Sequence, residues 1–342
     1  MILQLSGTGR SKGRPNGEAW HRPLFFVHIP KTAGTSFRLG AEQYFGADRI
    51  LYDYGRDSKV TAPLVRTLLY QDRADFWAFR QACEQGGPAM IGGHAAATRF
   101  VSLFGIGRTL TFLRDPVKRL ASEFDHFVRH YGYSGSFQDF YRRPVMQNRQ
   151  SKFLHGVDLE AIGFIGLTEC YDKSIEMLNR RFGVDIPLRR DNRGKRSLDA
   201  VRALSLQERA ELEQLNERDI ALYKRAAALF EARRRAFQDD DPWAHARLVD
   251  VGPQRVAGWA WWAGEGDEPV KVEVLVNDEA VGQEPAVHLR PNLSRLLPPR
   301  GGYVGFHLPL KLSPGDRVQC RVAATGQCFP LKPRRVPAAE SA

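Results

Sequence analysis

A lysine, a glycine and three hydroxyl residues directly follow a short apolar run near the start of the chain. The apolar run covers residues 24–29, and the residues after Pro30 are Lys31, Thr32, Ala33, Gly34, Thr35 and Ser36. An amphipathic segment begins at Phe37. This order predicts a buried strand, a tight loop and a helix N-terminus, where unpaired backbone N–H groups converge. Together with the Lys31 ammonium and the loop hydroxyls, it predicts a site for phosphate or sulfate.

The loop differs from the phosphate-binding loop of nucleoside triphosphatases. That motif is G-x-x-x-x-G-K-[ST], in which the lysine follows the second glycine and the next hydroxyl binds Mg²⁺. Here Lys31 precedes Gly34, the single glycine of the loop, by three residues. An ordinary strand-to-helix turn with a solvated lysine is the alternative interpretation.

A second apolar run ends in an arginine. Residues 109–113 are followed by Arg114, Asp115 and Pro116. Asp115 suits a helix N-cap and Pro116 the first helical position, so a helix is predicted to begin here. Arg114 then lies at the carboxyl end of a strand, where open α/β sheets bind ligands, and Ser122 lies two turns into the helix. The alternative is an arginine in a surface ion pair and a serine facing solvent.

Together the two segments resemble sulfotransferases that use 3′-phosphoadenosine 5′-phosphosulfate (PAPS), especially the heparan and chondroitin 2-O-sulfotransferase branch. The segment from His28 to Phe37 is similar to the loop that binds the 5′-phosphosulfate in that family. Arg114 and Ser122 have the spacing of the arginine and serine that hold the 3′-phosphate. The resemblance covers about residues 24–237 and includes less specific segments at 148–154, 164–169 and 216–223.

The resemblance implies a cofactor and a set of residues that bind it. The implied cofactor is PAPS, with no metal, and the product is 3′-phosphoadenosine 5′-phosphate (PAP). In relatives a loop comparable to the basic segment 189–196 closes over the nucleotide. The expected PAPS-binding residues are Lys31, Thr32, Ala33, Gly34, Thr35, Ser36, Arg114, Ser122, Arg193 and Lys195.

His94 is the candidate general base, because such a base needs a pKa near neutrality and the residue follows an apolar, strand-like run. The resemblance implies the same role, since relatives carry a Gly-His at the comparable place. Some of them have a further histidine where this chain has Gly92. A loop histidine bonded to a carbonyl is the alternative, with His126 and His130 as the next candidates for the base. His28 is predicted to pack against the loop or cap it.

The composition is that of a globular protein without a membrane span. The chain has 342 residues and a formal charge of +11, and its apolar runs are only strand-length. The basic residues form short clusters without a zinc-finger, RRM or helix-turn-helix pattern, so we expect no nucleic-acid partner. The four cysteines are scattered and suggest neither a disulfide framework nor a metal site.

Strand-like runs cover 24–29, 89–93, 109–113 and 162–167. Helices are predicted near 171–182, ended by Gly183, and over 206–237, where Ser205 and Glu208 form a capping box.

The alternation of strand-like and helical segments predicts an α/β domain with a P-loop-like, doubly wound parallel sheet flanked by helices. Short alternating segments after it predict a small all-β sandwich. We expect a disordered leader at 1–22, a sulfotransferase domain at 23–237, a linker at 238–245 and the sandwich at 246–336. The first segment lacks the apolar centre of a signal peptide. Eukaryotic relatives are generally anchored in the Golgi membrane. Because this sequence shows no such anchor, we expect a bacterial, cytoplasmic enzyme.

The expected function is transfer of the sulfuryl group of PAPS to a hydroxyl of a carbohydrate, such as a polysaccharide or glycolipid. Lys31 would stabilise the leaving oxygen, and the basic clusters suggest an acidic acceptor. The alternatives are a P-loop kinase and a non-catalytic glycan-binding protein. Trp259, Trp261 and Trp262 could stack on sugars, but burial in a core or between domains is the favoured interpretation.

Overall fold

The computed structural model describes residues 22–189, 199–264 and 266–337. Its amino-terminal part is an α/β unit with a parallel sheet flanked by helices. The strands are β1 Leu24–Val27, β2 Ile50–Asp53, β3 Met90–Gly93, β4 Thr109–Leu113 and β5 Phe164–Leu167. The helices are α1 Gly34–Phe45, α2 Pro63–Leu69, α3 Phe76–Gly86, α4 Ala97–Phe104, α5 Pro116–Tyr131, α6 Phe137–Arg142, α7 Arg149–Phe153, α8 Tyr171–Phe182, α9 Asp199–Arg202, α10 Leu206–Leu215 and α11 Glu217–Gln238.

The parallel sheet has the strand order β2-β3-β1-β4-β5. Every residue of β1, β3, β4 and β5 is buried, as expected for strands covered on both faces. In the centre of the sheet Phe26 pairs with Gly92 on one side and with Leu110 on the other. Because the strands are parallel, the segments that follow β1, β3 and β4 leave the sheet at the same edge.

Several predicted helix boundaries are confirmed by local contacts. Asp115 accepts a hydrogen bond from the Lys118 backbone N–H (2.9 Å), and Gly183 ends α8 in the left-handed conformation. The side chain of Ser205 accepts from the Glu208 backbone N–H and begins α10 with a capping box. These positions show that short-range capping signals were sufficient to place the helix ends.

The prediction of one long helix from Leu206 to Phe237 is wrong. The chain forms α10 and α11, which are separated at the buried Asn216. The Asn216 amide donates to Leu212 O (2.9 Å), and its oxygen accepts from the Asn148 N–H (3.1 Å). This side chain competes with the helical backbone for hydrogen bonds, so the helix is interrupted. The prediction also missed β2, which contributes the outer strand on the side of β3.

The carboxyl-terminal part consists of antiparallel sheets. One has the order β10-β11-β7-β6 and the other β13-β12-β8-β9. Val256 and Phe306 of the first sheet share a buried cluster with Val272 and Val318 of the second. The strands are β6 Ala244–Gly252, β7 Arg255–Trp262, β8 Lys271–Val276, β9 Glu279–Pro285, β10 His288–Leu289, β11 Tyr303–Pro309, β12 Arg317–Val322 and β13 Cys328–Arg335.

Tryptophans of β7 contribute to the packing between the two parts of the chain. Trp259 and Trp261 are 2% and 3% exposed, and their rings stack at 4.5 Å. Both belong to the buried cluster that contains the side chains of the parallel sheet. The interpretation of these two residues as buried packing residues is therefore confirmed. Among the described helices, none has both the length and the apolar character needed to cross a membrane.

Candidate functional site

A cavity of about 840 Å³ opens at the carboxyl edge of the parallel sheet. It is lined by residues from the loop after β1, the loop after β3, the end of β4 and one face of α5. The sequence-predicted residues that line it are Lys31, Ala33, Gly34, Thr35, Ser36, His94, Arg114 and Ser122. Three separate sequence motifs thus share one cavity, because the strand order brings their strands side by side.

The loop between β1 and α1 has an unusual backbone for its residues. Lys31 and Ala33 have φ values of 69° and 66°, in the left-handed region that L-residues other than glycine rarely adopt. Each such residue costs on the order of 1–3 kcal/mol and persists where the surrounding structure imposes it. Ala33 is also the N-cap of α1, and its methyl group offers no acceptor to the first N–H groups of the helix. A turn of this kind at a helix N-terminus suits an anion.

Not all of the loop hydroxyls face the cavity. The Thr32 side chain is fully buried and donates a hydrogen bond to Ile29 O (2.9 Å), so it holds the loop together. Thr32 does not line the cavity in this structure, and its role in binding the cofactor stays a prediction. The cavity is lined by Thr35, which is exposed, and Ser36, which is largely buried. Sequence alone does not separate these three hydroxyls, because the difference depends on the loop backbone.

Gly34 is required by the close approach of an imidazole ring. A Cβ at this position would lie 2.0 Å from His28 Cδ2, which no side chain tolerates. His28 stacks on Phe26, and its Nδ1 lies 2.8 Å from the Tyr54 hydroxyl oxygen. Burial, the neighbouring His94 and the nearby cations Arg38 and Lys31 lower the pKa of His28 to about 3. His28 therefore packs neutral beneath the loop, which confirms its predicted role.

Arg114 connects the two predicted motifs. Its Nη1 donates to Lys31 O at 3.1 Å, so the guanidinium contacts the loop after β1. The buried Gln150 side chain accepts from the Arg114 backbone N–H and donates to its carbonyl, both at 2.9 Å. Burial lowers the pKa values of both Arg114 and Lys31. The positive charge of Arg114 is among the causes that lower the pKa of Lys31, so both cations act on the same cavity and favour anionic groups there.

His94 presents its ring to the cavity at the end of β3. The ring centroid lies 4.8 Å from that of His28 and 4.7 Å from that of Tyr54, in edge-to-face arrangements. More than a third of the residue is accessible to solvent, but the cavity walls withdraw the ring from bulk water. This desolvation and the positive charge of Arg149 lower the pKa of His94 to about 4. This pKa lies below the near-neutral value expected of a general base. The imidazole is nevertheless neutral at pH 7, so one ring nitrogen can accept a proton.

The two alternative bases differ in position. His126 is half-buried on α5 and lines the cavity, whereas His130 is exposed and is not part of its wall. Their ring centroids are 4.5 Å apart. Burial and the charge of Lys31 lower the pKa of His126. His126 is therefore the second candidate for a proton acceptor in this cavity.

The structure adds charged residues that the sequence analysis did not assign to the site. Arg38 of α1 and Arg149 of α7 line the cavity, as does Glu123 of α5. The buried Glu123 carboxylate accepts hydrogen bonds from Arg119 and Arg149. The spacing of Arg119 and Glu123 on one helix was a local signal for this pair, but the third partner comes from another helix.

The lining is strongly cationic. Among the described residues of the cavity wall, Lys31, Arg38, Arg114 and Arg149 are positive and Glu123 is the single carboxylate. The predicted cofactor residues Arg193 and Lys195 lie outside the described residues, so the basic loop stays a prediction. The described residues contain no group of three or more histidine, cysteine, aspartate or glutamate side chains placed to hold a metal ion. The cavity is therefore arranged to attract anions.

Comparison with known proteins finds no matching family model and no curated protein that matches this chain. The resemblance to sulfotransferases thus rests on the short motifs described above. The function has to be argued from the cavity, its charges and its proton acceptor.

Proposed function

We propose that this chain is a PAPS-dependent sulfotransferase that transfers the sulfuryl group to a hydroxyl of a carbohydrate and releases PAP. The observation that carries the proposal is one cavity that joins the loop after β1, the Arg114–Ser122 pair and the neutral His94. PAPS is anionic at two separate places, its phosphosulfate and its 3′-phosphate. The cavity offers a strained loop with Lys31 for one and a guanidinium with a hydroxyl for the other.

The strand order supports the same proposal. β1 lies at the centre, with β3 and β2 on one side and β4 and β5 on the other. The later strands are therefore added on both sides of β1, which makes β1 the switch point of the strand order. Ligands of open α/β sheets bind at the carboxyl ends of the strands at such a point. We infer that the sheet is the doubly wound, P-loop-like type, with the anion loop at this position.

Each residue has a distinct role in the proposed reaction. Sulfuryl transfer resembles phosphoryl transfer, in which an acceptor oxygen attacks in line and negative charge develops on the leaving oxygen. Lys31 stabilises that leaving charge, and loss of such a group lowers rates by on the order of a hundredfold. His94 takes the proton of the acceptor hydroxyl. Arg114 and Ser122 fix the 3′-phosphate, which orients the donor.

The acceptor is proposed to be acidic. Arg38 and Arg149 line the cavity beyond the residues assigned to PAPS. Arg38 pairs with Glu42 at 3.5 Å, but Arg149 and Arg119 share the single carboxylate of Glu123, so this group keeps one net positive charge for a second substrate. The chain is expected to work in the bacterial cytoplasm, where PAPS is made. A polysaccharide or glycolipid remains the proposed acceptor class.

Calorimetric titration of PAP, in parallel with ATP and Mg²⁺, tests this function. We expect wild type to bind PAP with a micromolar or lower Kd and Lys31→Ala to bind it more weakly. Lys118→Ala is the matched control, since Lys118 is exposed and is not part of the cavity wall. A signal from ATP without one from PAP would favour a kinase. Binding of an acidic oligosaccharide, with no binding of PAP or ATP, would favour a glycan-binding protein.

A further inference from the structure

A second cavity, of about 560 Å³, lies where α8 and α11 meet the beginning of the antiparallel sheets. We call it the seam cavity, and it shares no lining residue with the cavity at the sheet edge. Its volume falls in the range of small-molecule sites. Most of its wall is apolar or aromatic and includes Phe164, Met177, Ala236, Phe237, Trp243 and Trp262.

The inner wall of the seam cavity contains a buried arginine. Arg233 is 7% exposed, and its guanidinium lies over the Trp243 ring at 5.3 Å from the centroid. One nitrogen, Nη2, donates to Ile162 O at 3.2 Å. The Nε atom is buried and has no hydrogen-bond partner in the part of the chain that the structure describes. Burying an arginine is costly unless an anionic or polar partner satisfies it.

No described carboxylate forms an ion pair with Arg233. The negative charge of Glu160 raises the pKa of Arg233, but the two Glu160 oxygens accept hydrogen bonds from Arg225 at 2.8 and 2.6 Å. His245 Nδ1 lies 3.3 Å from Arg233 Nη2 and 2.7 Å from Glu160 O. Because a carbonyl oxygen only accepts, the shorter contact assigns the proton to Nδ1, and this nitrogen then offers no lone pair to Arg233. Burial and the positive charge of Arg181 lower the pKa of Arg233 to about 9, so it remains charged at pH 7. Among the residues that the structure describes, no carboxylate therefore balances the positive charge of Arg233 at the inner wall.

The other polar groups of the seam cavity lie either at its inner end or at its rim. The Trp243 Nε1 is a second buried donor without a partner among the described residues. The acidic residues Asp240 and Asp241 are exposed at the rim, and Asp240 pairs with Arg180. A bound molecule must therefore bring hydrogen-bond acceptors and negative charge to the inner end. Its remaining surface must suit aromatic walls.

We propose that the seam cavity is a second ligand site, for a small organic anion with a flat, apolar body. The anionic group meets the Arg233 guanidinium, and the body packs against the aromatic side chains around it. A carboxylate or a sulfonate on an aromatic ring has this chemistry. Because α11 and the loop before β6 both contribute to the cavity wall, the ligand also stabilises the packing between them. This inference is independent of the function proposed for the sheet-edge cavity.

Titration of the full chain with 8-anilinonaphthalene-1-sulfonate, followed by dye and tryptophan fluorescence, tests the proposal. N-phenyl-1-naphthylamine, which has the same body without the sulfonate, is the neutral comparison. We expect saturable binding of the sulfonate at micromolar concentration, with quenching of tryptophan emission. Binding should weaken at least tenfold in Arg233→Met, which removes the charge. It should weaken similarly in Ala236→Phe, which fills the cavity and keeps the arginine.

Two control variants separate this site from others. Arg234→Met changes the next arginine of α11, which pairs with Glu231 and does not line the cavity, so dye binding should not change. Lys31→Ala alters the sheet-edge cavity and should also leave it unchanged. The proposal is overturned if wild type does not bind the dye or if neither cavity variant weakens binding. Equal affinity for the neutral compound, or loss of binding in Lys31→Ala alone, would overturn it as well.

Discussion

The loops before α1 and before α5 lie next to each other at the sheet edge, but they begin their helices differently. Before α5, Asp115 accepts a hydrogen bond from the Lys118 N–H and Pro116 occupies the first helical position. Before α1, the N-cap is Ala33 in the left-handed conformation, and no side-chain oxygen of its own can satisfy the helix. The start of α5 is capped by a side chain of its own, and the start of α1 has no side-chain cap.

The difference teaches how two similar strand–helix junctions can contribute different groups to one cavity. Where the backbone N–H groups are left without a cap, the loop itself is suited to hold an anion. Where a cap occupies them, only side chains reach the cavity, here Arg114 and Ser122. The hydrogen bond from Arg114 to Lys31 O joins the two junctions. Substitutions in the junction before α1 can therefore be compared directly with substitutions in the junction before α5.

The largest effect is expected from His94 at the end of β3, which supplies the proton acceptor that neither junction has. His94→Ala removes the neutral imidazole, so turnover with PAPS and an acceptor should fall by ~10²–10⁴. PAP affinity should stay at the wild-type value, because the anion-binding groups remain. His130→Ala, on the exposed face of α5, is the control for loss of a histidine. Near-normal turnover in His94→Ala would make His126 the next base to test.

The next effect is expected in the capped junction. Arg114→Ala should weaken PAP binding by ~1.5–3 kcal/mol, the contribution of a hydrogen bond to a charged group. Titration calorimetry measures it. Gln150 holds the Arg114 backbone rather than its side chain, so the local fold should survive the substitution. An unchanged Kd would remove Arg114 from the anion site.

Asp115, the residue after Arg114, should affect the stability of the fold and not the affinity for PAP. Asp115→Ala removes the N-cap of α5 and should lower the free energy of unfolding by ~0.5–2 kcal/mol. PAP affinity should not change, because the carboxylate is committed to the helix start. Urea unfolding and calorimetry on the same preparation measure both quantities. A large loss of affinity with unchanged stability would reverse the roles assigned to the two neighbouring residues.

A pH dependence should arise from the junction after β1. The native pKa of His28 is lowered to about 3, whereas an unfolded histidine titrates near ~6.5. Between these values the unfolded chain binds a proton that the native chain does not, so stability falls as the pH is lowered. The His28 contribution lost between pH 7 and pH 5.5 is about 1 kcal/mol. Urea unfolding at both pH values should show a smaller decrease for His28→Phe than for wild type, and equal decreases would contradict it.

The smallest effect is expected from relief of backbone strain in the uncapped junction. Ala33→Gly replaces a left-handed alanine, whose conformation costs ~1–2 kcal/mol, but it adds ~0.4–1 kcal/mol of unfolded-state entropy. The net change should be a stabilisation of about 0.8 kcal/mol at the middle of these ranges. Ala33→Val should instead destabilise, because β-branched residues avoid positive φ. Thermal unfolding distinguishes them, and similar losses for both variants would show that φ at this position is not the limiting feature.

Much of the parallel-sheet region could be predicted from short-range patterns. The apolar runs, the Asp115–Pro116 helix start and the Ser205–Glu208 capping box are local signals, and the structure confirms each. The break at Asn216 was missed because its cause is a hydrogen bond to Asn148, far away in sequence. Local patterns specify an element, whereas distant partners decide where it is interrupted.

The candidate site shows the same division. Lys31, Arg114 and His94 were identifiable because each follows a strand-like run with chemistry-bearing residues at its end. Arg149 and Arg38 carried no such signal, since they lie within helices and reach the cavity only through packing. The bond from the Thr32 hydroxyl to Ile29 O could not be predicted, because its direction depends on a loop backbone that no spacing reveals.

The sequence by itself therefore determined the alternation of strands and helices and the residues placed at the ends of three strands. It did so because apolar periodicity, capping and turn chemistry act between near neighbours. The tertiary structure alone decided that those ends meet in one cavity, that His94 is neutral there and that Arg233 is buried at a seam where no described carboxylate pairs with it. These properties arise from burial and from charges contributed by distant segments, which act only once the chain has folded.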